Sequence, residues 1–499
     1  MVAEVLPLTM VGIIIIVALA ISTLARKVRQ NEVIGFILAG FLLGPFFLGF
    51  LQPGEVLTQG LSELGLFFML FYLGIELSWK EFLDAGSTGF GLAIIDMVLT
   101  SGGSIAILLL LGHSLFFSMA VGIMLFCTST AIVAKFIIDR KMMDNPASRL
   151  AIAINILQDF LGILLLVFIS SMASISNGGF GVMLGTGVTA LVFVVSAFFA
   201  VNHLSKIVEK WMKKNNFGSN KMTLYAIGIG LLAASLAGFL GLNASLGAYF
   251  AGFALSETSS GKKIKKNMVF LIDFFLVFFF VTFGTTIFYD YGLEKVVLPP
   301  LAEFLSVFAL ALGLALIAMT AHSLSSRIFG ALFGLNSEDS SGLAILLFPL
   351  GEFLIIISAF VVPILPDVVE RKMINFLAFL LIIITLFLFQ PAYGMKGLHQ
   401  KLMSFIPRLP EPKKNTTIKA HTPYTLKQAK DMAFSLFIVL CLAWVTLLFY
   451  EALPNFGFPV PYGRPVTAFL VFAFFAFYPF IRALRAFKRI FRQTVYGGL

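Results

Sequence analysis

Long apolar stretches alternate with short polar breaks along almost the whole of this chain. Each stretch has about 15–25 residues, the length a helix needs to cross a hydrocarbon core about 30 Å thick. The pattern therefore predicts an all-α polytopic membrane protein. The predicted spans are residues 6–24, 31–50, 60–77, 87–112, 116–139, 148–173, 182–202, 221–240, 243–257, 268–289, 300–323, 341–363, 373–395, 431–452 and 465–483.

Composition agrees with this pattern and excludes several classes of function. The 499 residues are 59% hydrophobic and only 12% charged, whereas soluble domains carry about 25% charged residues. Two cysteines and five histidines fall at no metal-ligand spacing. Since no nucleophile–base pair or phosphate loop is present, we expect neither an enzyme nor a bound cofactor. The net charge of +10 resides in short loops, which argues against a nucleic-acid partner.

Loop charges orient the spans. The odd-numbered loops carry seventeen Lys and Arg residues, and the even-numbered loops through the twelfth carry three. By the positive-inside rule the odd loops are cytoplasmic. We therefore expect a multi-pass protein of the cell (plasma or inner) membrane, with its N-terminus outside.

Two pairs of segments indicate an internal repeat. Gly35–Gly44 (GFILAGFLLG) matches Gly247–Ser256 (GAYFAGFALS) at an offset of 212 residues. Phe67–Gly74 and Val277–Gly284 match at an offset of 210. An odd number of spans separates the copies, so they run in opposite directions. Such inverted repeats are typical of secondary transporters; the alternative is a chance likeness between Gly- and Phe-rich helices.

The fifth span contains a predicted break. Cys127–Val133 places three consecutive hydroxyl residues, Thr128, Ser129 and Thr130, inside an apolar run. Irregular backbone at membrane depth is tolerated only inside protein or around water. Freed carbonyls and hydroxyls there could bind a dehydrated cation. The alternative is that these hydroxyls bond only to their own helix.

The twelfth span contains a matching break at Phe348–Phe353 (FPLGEF). Pro349 removes a backbone donor and Gly351 loosens the helix. Glu352 is an acid within this break, eleven residues into the span. Intramembrane acids are functional candidates by default.

The sixth span carries the strongest candidate, Asp159, in the run INILQDFLGILLLVFI. A bare Asp at the centre of a membrane helix costs roughly 2.5–3.5 kcal/mol on insertion scales. Asn155, four residues earlier, shares its helix face, and Gln158 is predicted to point toward the fifth-span break. We expect these three residues to bind an ion or proton.

Three further residues are possible accessories. Asp96, in the fourth span, is interpreted as a hydrogen-bonded structural acid because no break or amide cluster accompanies it in the sequence. Lys135 is predicted to snorkel to the cytoplasmic surface rather than pair with a midplane acid. His322 is interpreted as a satisfied interior histidine, with a proton sensor as the alternative.

Taken in order, several motifs resemble those of the cation:proton antiporter-2 family, including the membrane domains of glutathione-gated potassium efflux systems. The motifs are IGFILAGFLLGP (Ile34–Pro45), ELGLFFMLFYLGIEL (Glu63–Leu77), TSTAIV (Thr128–Val133), LQDF (Leu157–Phe160), LGAYFAGFALS (Leu246–Ser256), FFFVTFG (Phe278–Gly284) and GEF (Gly351–Phe353). The resemblance implies a thirteen-helix, inverted-repeat, sodium/proton-antiporter-like fold. It also implies homodimers in which a core domain moves against a dimer domain.

By the same resemblance, Asp159 carries the cation or proton, Thr128–Thr130 form the crossing break and Glu352 lies in the second crossing helix. Glutamine at 158 resembles the potassium-type members. Many relatives carry a Lys on the eleventh helix that pairs with the acid, whereas Pro300–Ser326 has no Lys or Arg. This departure favours electroneutral exchange.

The predicted domains are an antiporter domain at 1–396, with repeats near 31–173 and 243–395, a basic cytoplasmic linker at 397–430, and two extra spans within 431–499. The glycine-rich nucleotide-binding domain that often follows in potassium efflux members is absent from the sequence.

The tail Ile481–Arg492 (IRALRAFKRIFR) is basic and amphipathic. It is typical of a helix at an anionic membrane surface, although a generic positive-inside anchor fits nearly as well. A regulatory partner at this C-terminal region is possible.

The function we expect is exchange of a monovalent cation, K⁺ with Na⁺ as the alternative, for protons by alternating access. One carboxylate binds the cation and the proton competitively. The alternatives are a gated cation channel on the same scaffold and a non-transporting membrane sensor. Beyond the transported cation, we expect no metal.

Overall fold

The computed structural model of the chain describes residues 7–27, 31–76, 89–172, 175–290, 295–362, 365, 367–408, 435, 442, 471–482 and 485. The described helices are α1 (Pro7–Lys27), α2 (Glu32–Leu43), α3 (Val56–Glu76), α4 (Phe90–Leu110), α5 (Leu115–Phe126), α6 (Thr130–Asp139), α7 (Pro146–Met172), α8 (Ile175–Lys214), α9 (Ser219–Phe239), α10 (Ala244–Ser256), α11 (Gly261–Thr286), α12 (Leu301–Phe329), α13 (Ser337–Leu346), α14 (Phe353–Val361), α15 (Val368–Gly394), α16 (Lys396–Met403) and α17 (Val471–Arg482). A short antiparallel hairpin pairs β1 (Tyr289–Asp290) with β2 (Lys295–Val296), and a 3₁₀ turn occupies Gly330–Phe333.

These helices follow the predicted spans. Among the described residues, eight helices are long and apolar enough to cross a membrane by length and composition. The fifth and twelfth predicted spans are each split, into α5 and α6 and into α13 and α14. Most of the linker, the span predicted at 431–452 apart from two residues, and most of the basic tail lie outside the described residues.

Two helices continue six or more residues beyond the C-terminal ends of their predicted spans. The α8 helix continues to Lys214 and α12 continues to Phe329. Hydropathy detects only the apolar part of such helices. The extension of α8 alternates exposed apolar residues with lysines, among them Ile207, Lys210 and Trp211, so the pattern there is too polar to register as a span.

The chain divides into two compact units. The first unit comprises Met1–Glu81, Leu166–Ala309 and Ser358–Ile383. The second unit comprises Phe82–Leu165, Leu310–Ile357 and Ile384–Leu499.

In the first unit, glycines allow α2 to pack closely on α11 and α10 to pack closely on α3. A Cβ atom on Gly40 would overlap the carbonyl oxygen of Val281, and one on Gly252 would overlap that of Phe71. Gly252 follows Gly40 by 212 residues, and Val281 follows Phe71 by 210. The two contacts therefore join equivalent positions of the two predicted repeats.

A second pair of glycines repeats this relation. A Cβ on Gly284 would overlap the carbonyl oxygen of Ile37, and one on Gly74 would overlap that of Tyr249. The same offsets of 210 and 212 relate the partners. Four reciprocal contacts at the same two offsets are what packing between duplicated halves would produce, so they favour the predicted repeat over a chance likeness of glycine-rich helices.

The second unit buries an apolar cluster built from α4, α6, α7, α13 and α15, with Leu92, Ile137, Ile154, Ile345 and Phe389 among its members. This cluster packs both split spans and α7 into one body. It therefore fixes the position of the two breaks relative to the polar face of α7.

Candidate functional site

The two split spans meet at their breaks. Thr128 and Leu350 form an isolated antiparallel bridge, and the Ser129 N–H donates to the Pro349 carbonyl at 2.8 Å. Pro349 has no N–H to continue a helix, and the Ser129 hydroxyl accepts from the Ile132 N–H as the N-cap of α6. A backbone N–H of the first break is thus satisfied by a carbonyl of the second.

Small side chains make this crossing possible. A Cβ on Gly351 would lie 2.6 Å from both Cβ and Oγ of Ser129. A Cβ on Gly162 of α7 would lie 2.6 Å from the Cys127 sulfur. The crossing and α7 are therefore in close contact, with no room for a larger residue at either glycine.

Asp159 lies beside the crossing, as predicted. It is 9% exposed, and its Oδ2 accepts a hydrogen bond from the Thr130 hydroxyl at 2.7 Å. Thr130 is the first residue of α6. The broken span thus supplies a hydroxyl directly to the midspan acid of α7.

Three side-chain oxygens converge at Thr128. Its Oγ1 lies 2.8 Å from Asn155 Oδ1 and 2.6 Å from Gln158 Oε1, and all three residues are at most 1% exposed. One hydroxyl hydrogen can serve only one of the two carbonyls. The Asn155 amide nitrogen has no hydrogen-bond partner within the described part of the chain. The side of the cluster that faces Thr128 therefore has one carbonyl oxygen more than the single hydroxyl hydrogen can serve.

Asp96 joins this cluster as a hydrogen-bonded acid, in agreement with its interpretation from the sequence, but an amide from another helix accompanies it. The sequence suggested that no amide accompanies Asp96, yet Gln158 Nε2 donates to its Oδ2 at 3.1 Å. His322 Nδ1 lies 2.9 Å from both carboxylate oxygens, and the Ser325 hydroxyl donates to Oδ1 at 2.5 Å. Helix packing brings together residues 62 and more than 220 positions apart, which sequence spacing does not reveal.

The remaining candidates, Glu352 and Lys135, are less buried than the residues of the cluster. Glu352 is half-buried at the start of α14, where its carbonyl oxygen accepts from the Ile355 N–H at 3.0 Å. It is two residues from Leu350, which bridges to the other break. Lys135 is exposed on α6, in agreement with a side chain that snorkels rather than one paired with a buried acid.

Three polar residues of the second unit make buried contacts that the sequence did not predict. Ser325 contacts Asp96, and Thr385 Oγ1 accepts from the Leu350 N–H at 3.2 Å. His399 of α16 lies 2.9 Å from the Ser323 hydroxyl, and burial lowers the pKa of His399. A single Ser or Thr in an apolar helix carries no signal that distinguishes such a contact.

The oxygen atoms of this cluster are suitable ligands for a hard monovalent cation. They are hydroxyl, amide and carboxylate oxygens, the ligand type that hard cations prefer. In the described ranges, no group of three or more His, Cys, Asp or Glu residues is placed to hold a metal ion. The arrangement can therefore bind an alkali cation or a proton at Asp159, with neutral oxygens alongside.

Known proteins resemble the chain over most of its length. The family model described as sodium/hydrogen exchanger, transmembrane, matches residues 13–392. The ammonium/H⁺ antiporter subunit AmhT of Alkalihalophilus pseudofirmus is 28% identical, over 70% of this chain and 85% of that protein. The K⁺/H⁺ antiporter subunit KhtU of Bacillus subtilis is 26% identical, over 69% and 83%.

A solved structure has the same fold. The sodium proton antiporter MjNhaP1 from Methanocaldococcus jannaschii superposes with a TM-score of 0.59 at 18% identity, covering 80% of this chain and 98% of that one. The antiporter-like helical fold expected from the sequence is thereby confirmed.

Proposed function

Since this chain belongs to the sodium/hydrogen exchanger family, we propose that it exchanges a monovalent cation, with K⁺ preferred, for protons by alternating access. The expectation of a membrane-embedded cation:proton antiporter is met by the family and the fold together. We assign it transport rather than enzymatic activity.

The observation that carries the proposal is Asp159, an acid beside the crossing of two broken helices and hydrogen-bonded to Thr130. A carboxylate can have its charge cancelled by a cation or by a proton, but not by both at once. The two ions therefore compete for one site. A loaded, neutral site crosses a low-dielectric barrier far more readily than a bare carboxylate does.

Neutral oxygens beside the acid support cation binding. Thr128, Asn155 and Gln158 bring three oxygens together around a single hydroxyl hydrogen, so a partly dehydrated cation regains the contacts that water supplied. K⁺ is favoured by the glutamine before the acid, and a relative is named as a K⁺/H⁺ antiporter subunit. The ammonium/H⁺ relative makes NH₄⁺ a substrate to test alongside K⁺ and Na⁺.

Exchange of one cation for one proton is proposed to be electroneutral. Between Pro300 and Ser326 the chain has no Lys or Arg, so no lysine or arginine in this part of α12 adds a charge to the transported site. We further propose that the protein forms a homodimer in the cell membrane with its N-terminus outside. The proposed domains are the antiporter domain at 1–396, the linker at 397–430 and the two extra spans within 431–499. A regulatory role for the C-terminal region belongs to the same proposal.

The test is transport by purified protein in proteoliposomes, read as cation-dependent dequenching of a pH dye. Asp159→Asn should abolish exchange and leave the fold intact, because the amide is nearly isosteric and cheaper to bury than a charge. Asp144→Asn is the matched control, since the Asp144 side chain is fully exposed and its loss should leave exchange unchanged.

Three outcomes would contradict the proposal. Coupled exchange that persists in Asp159→Asn would reject the site. Wild-type cation flux that neither saturates nor moves protons would indicate a channel. A wild-type protein that is folded but moves no cation would indicate a sensor.

A further inference from the structure

The Asp96 carboxylate is fully buried and surrounded by donors. Its Oδ1 accepts from the Ser325 hydroxyl, its Oδ2 accepts from Gln158 Nε2, and His322 Nδ1 lies 2.9 Å from each oxygen. A carboxylate offers only acceptors, so His322 carries its hydrogen on Nδ1. With these donors in place, Asp96 is an anchor within the second unit rather than an open ligand for a transported ion.

The Asp96 carboxylate determines the orientation of the Gln158 amide, that is, which of its ends carries the oxygen and which the nitrogen. The two ends of an amide have nearly the same shape, and only their hydrogen-bond partners distinguish them. Gln158 must turn its NH₂ toward an acceptor-only carboxylate. Its carbonyl oxygen is then the end that faces Thr128, at 2.6 Å.

Thr128 itself imposes no such choice. A hydroxyl donates to a carbonyl or accepts from an NH₂ equally well, so a flipped Gln158 would still bond to it and the packing would be preserved. The flip would nevertheless replace a cation ligand by a donor that repels cations. The atom that Gln158 presents at the crossing therefore depends on Asp96.

We propose that Asp96, held by His322 and Ser325, is a positioning residue that fixes the Gln158 carbonyl oxygen toward Thr128 and so sets the cation preference of the transporter. The inference rests on the proposed function, since it concerns the same cation site. In this account Asp96 acts through Gln158 and binds neither the cation nor the transported proton.

A double-mutant cycle tests this route. Asp96→Asn supplies an NH₂ that can donate to Gln158 Oε1, which allows the glutamine to flip. We expect the ratio of K⁺ to Na⁺ affinity to change on the order of three- to tenfold, the scale of one hydrogen bond exchanged at a buried site. In a Gln158→Met background no amide remains to be turned, so Asp96→Asn should change that ratio less than about twofold.

Cation affinity is measured as thermal stabilisation of the purified protein by KCl or NaCl titration, because ligand binding to the folded state raises Tm whether or not the variant transports. Ser104→Ala is the matched control. This α4 hydroxyl is fully buried and, among the described residues, bonds only within its own helix, to the Thr100 carbonyl, so the K⁺ to Na⁺ ratio should stay at the wild-type value.

If Asp96→Asn changes the K⁺ to Na⁺ affinity ratio equally in the wild-type and Gln158→Met backgrounds, the inference is overturned, since Asp96 would then act through its own charge. A K⁺ to Na⁺ affinity ratio in Asp96→Asn equal to that of the wild type would also overturn the inference. If Asp96→Asn does not purify as a monodisperse protein, His322→Gln perturbs the same carboxylate from its other side, and the same two-background comparison applies. Failure of the proposed function is separable, because it appears as absent exchange in the wild type.

Discussion

The sharpest packing prediction concerns Gly351, where one methyl group tests whether the two breaks must touch. In Gly351→Ala the new Cβ would lie 2.6 Å from Ser129 Cβ and Oγ and 3.3 Å from its Cα. Carbon atoms prefer separations of about 3.5–4.0 Å, so the overlap is close to 1 Å. Ser129 has little freedom to move away, because its N–H bonds to Pro349 and its hydroxyl caps α6.

The expected cost follows from this overlap. Inserting a methyl group into a well-packed interior costs about 1–3 kcal/mol. If that cost falls on the state in which the crossing holds the cation, exchange slows about 5- to 150-fold, at about 1.36 kcal/mol per tenfold. Gly103→Ala is the matched control, because a Cβ there meets its nearest atom, Ile317 Cγ2, at an ordinary 3.8 Å.

The assay compares proteoliposome exchange and Tm for Gly351→Ala, Gly103→Ala and the double variant Ser129→Gly/Gly351→Ala. The double variant removes both colliding atoms, so part of the lost exchange should return. Wild-type exchange and Tm in Gly351→Ala, or an equal loss in Gly103→Ala, would refute the argument that contact at the crossing is required.

Other predictions address the second acid, a pH response and the topology. Glu352→Gln should slow exchange without unfolding the protein, as Tm and turnover will show; wild-type turnover would make Glu352 a purely structural acid. Because burial lowers the pKa of His399 below its ordinary 6.5, the unfolded chain takes up the proton first as pH falls through that value, and stability declines there. Tm measured between pH 8 and pH 5 should therefore fall less in His399→Gln than in the wild type, and identical curves would contradict the assignment. Single cysteines introduced at Lys213 and Gln52 should be labelled from opposite sides of the membrane, and labelling from the same side would reject the predicted orientation.

Local chemistry made much of the second unit predictable. Three hydroxyl residues in one apolar run and a Pro–Gly pair in another predicted both breaks, because each motif weakens a helix where it stands. Asp159 was predictable for a similar reason, since a charge in a membrane span requires a partner. The reciprocal glycine contacts of the first unit occur at the offsets of 210 and 212 residues that relate the matching sequence motifs.

The amino-acid sequence alone determined the membrane class, the positions of the breaks and the acid beside them, since these depend on hydropathy, backbone chemistry and spacing along one helix. Only the tertiary structure decided that Asp96 joins Gln158, that Ser325 completes its donors and that Gly351 faces Ser129. Those contacts depend on how far each helix is rotated about its axis and which neighbour it meets. Periodicity specifies an apolar face, but it does not specify the partner across that face.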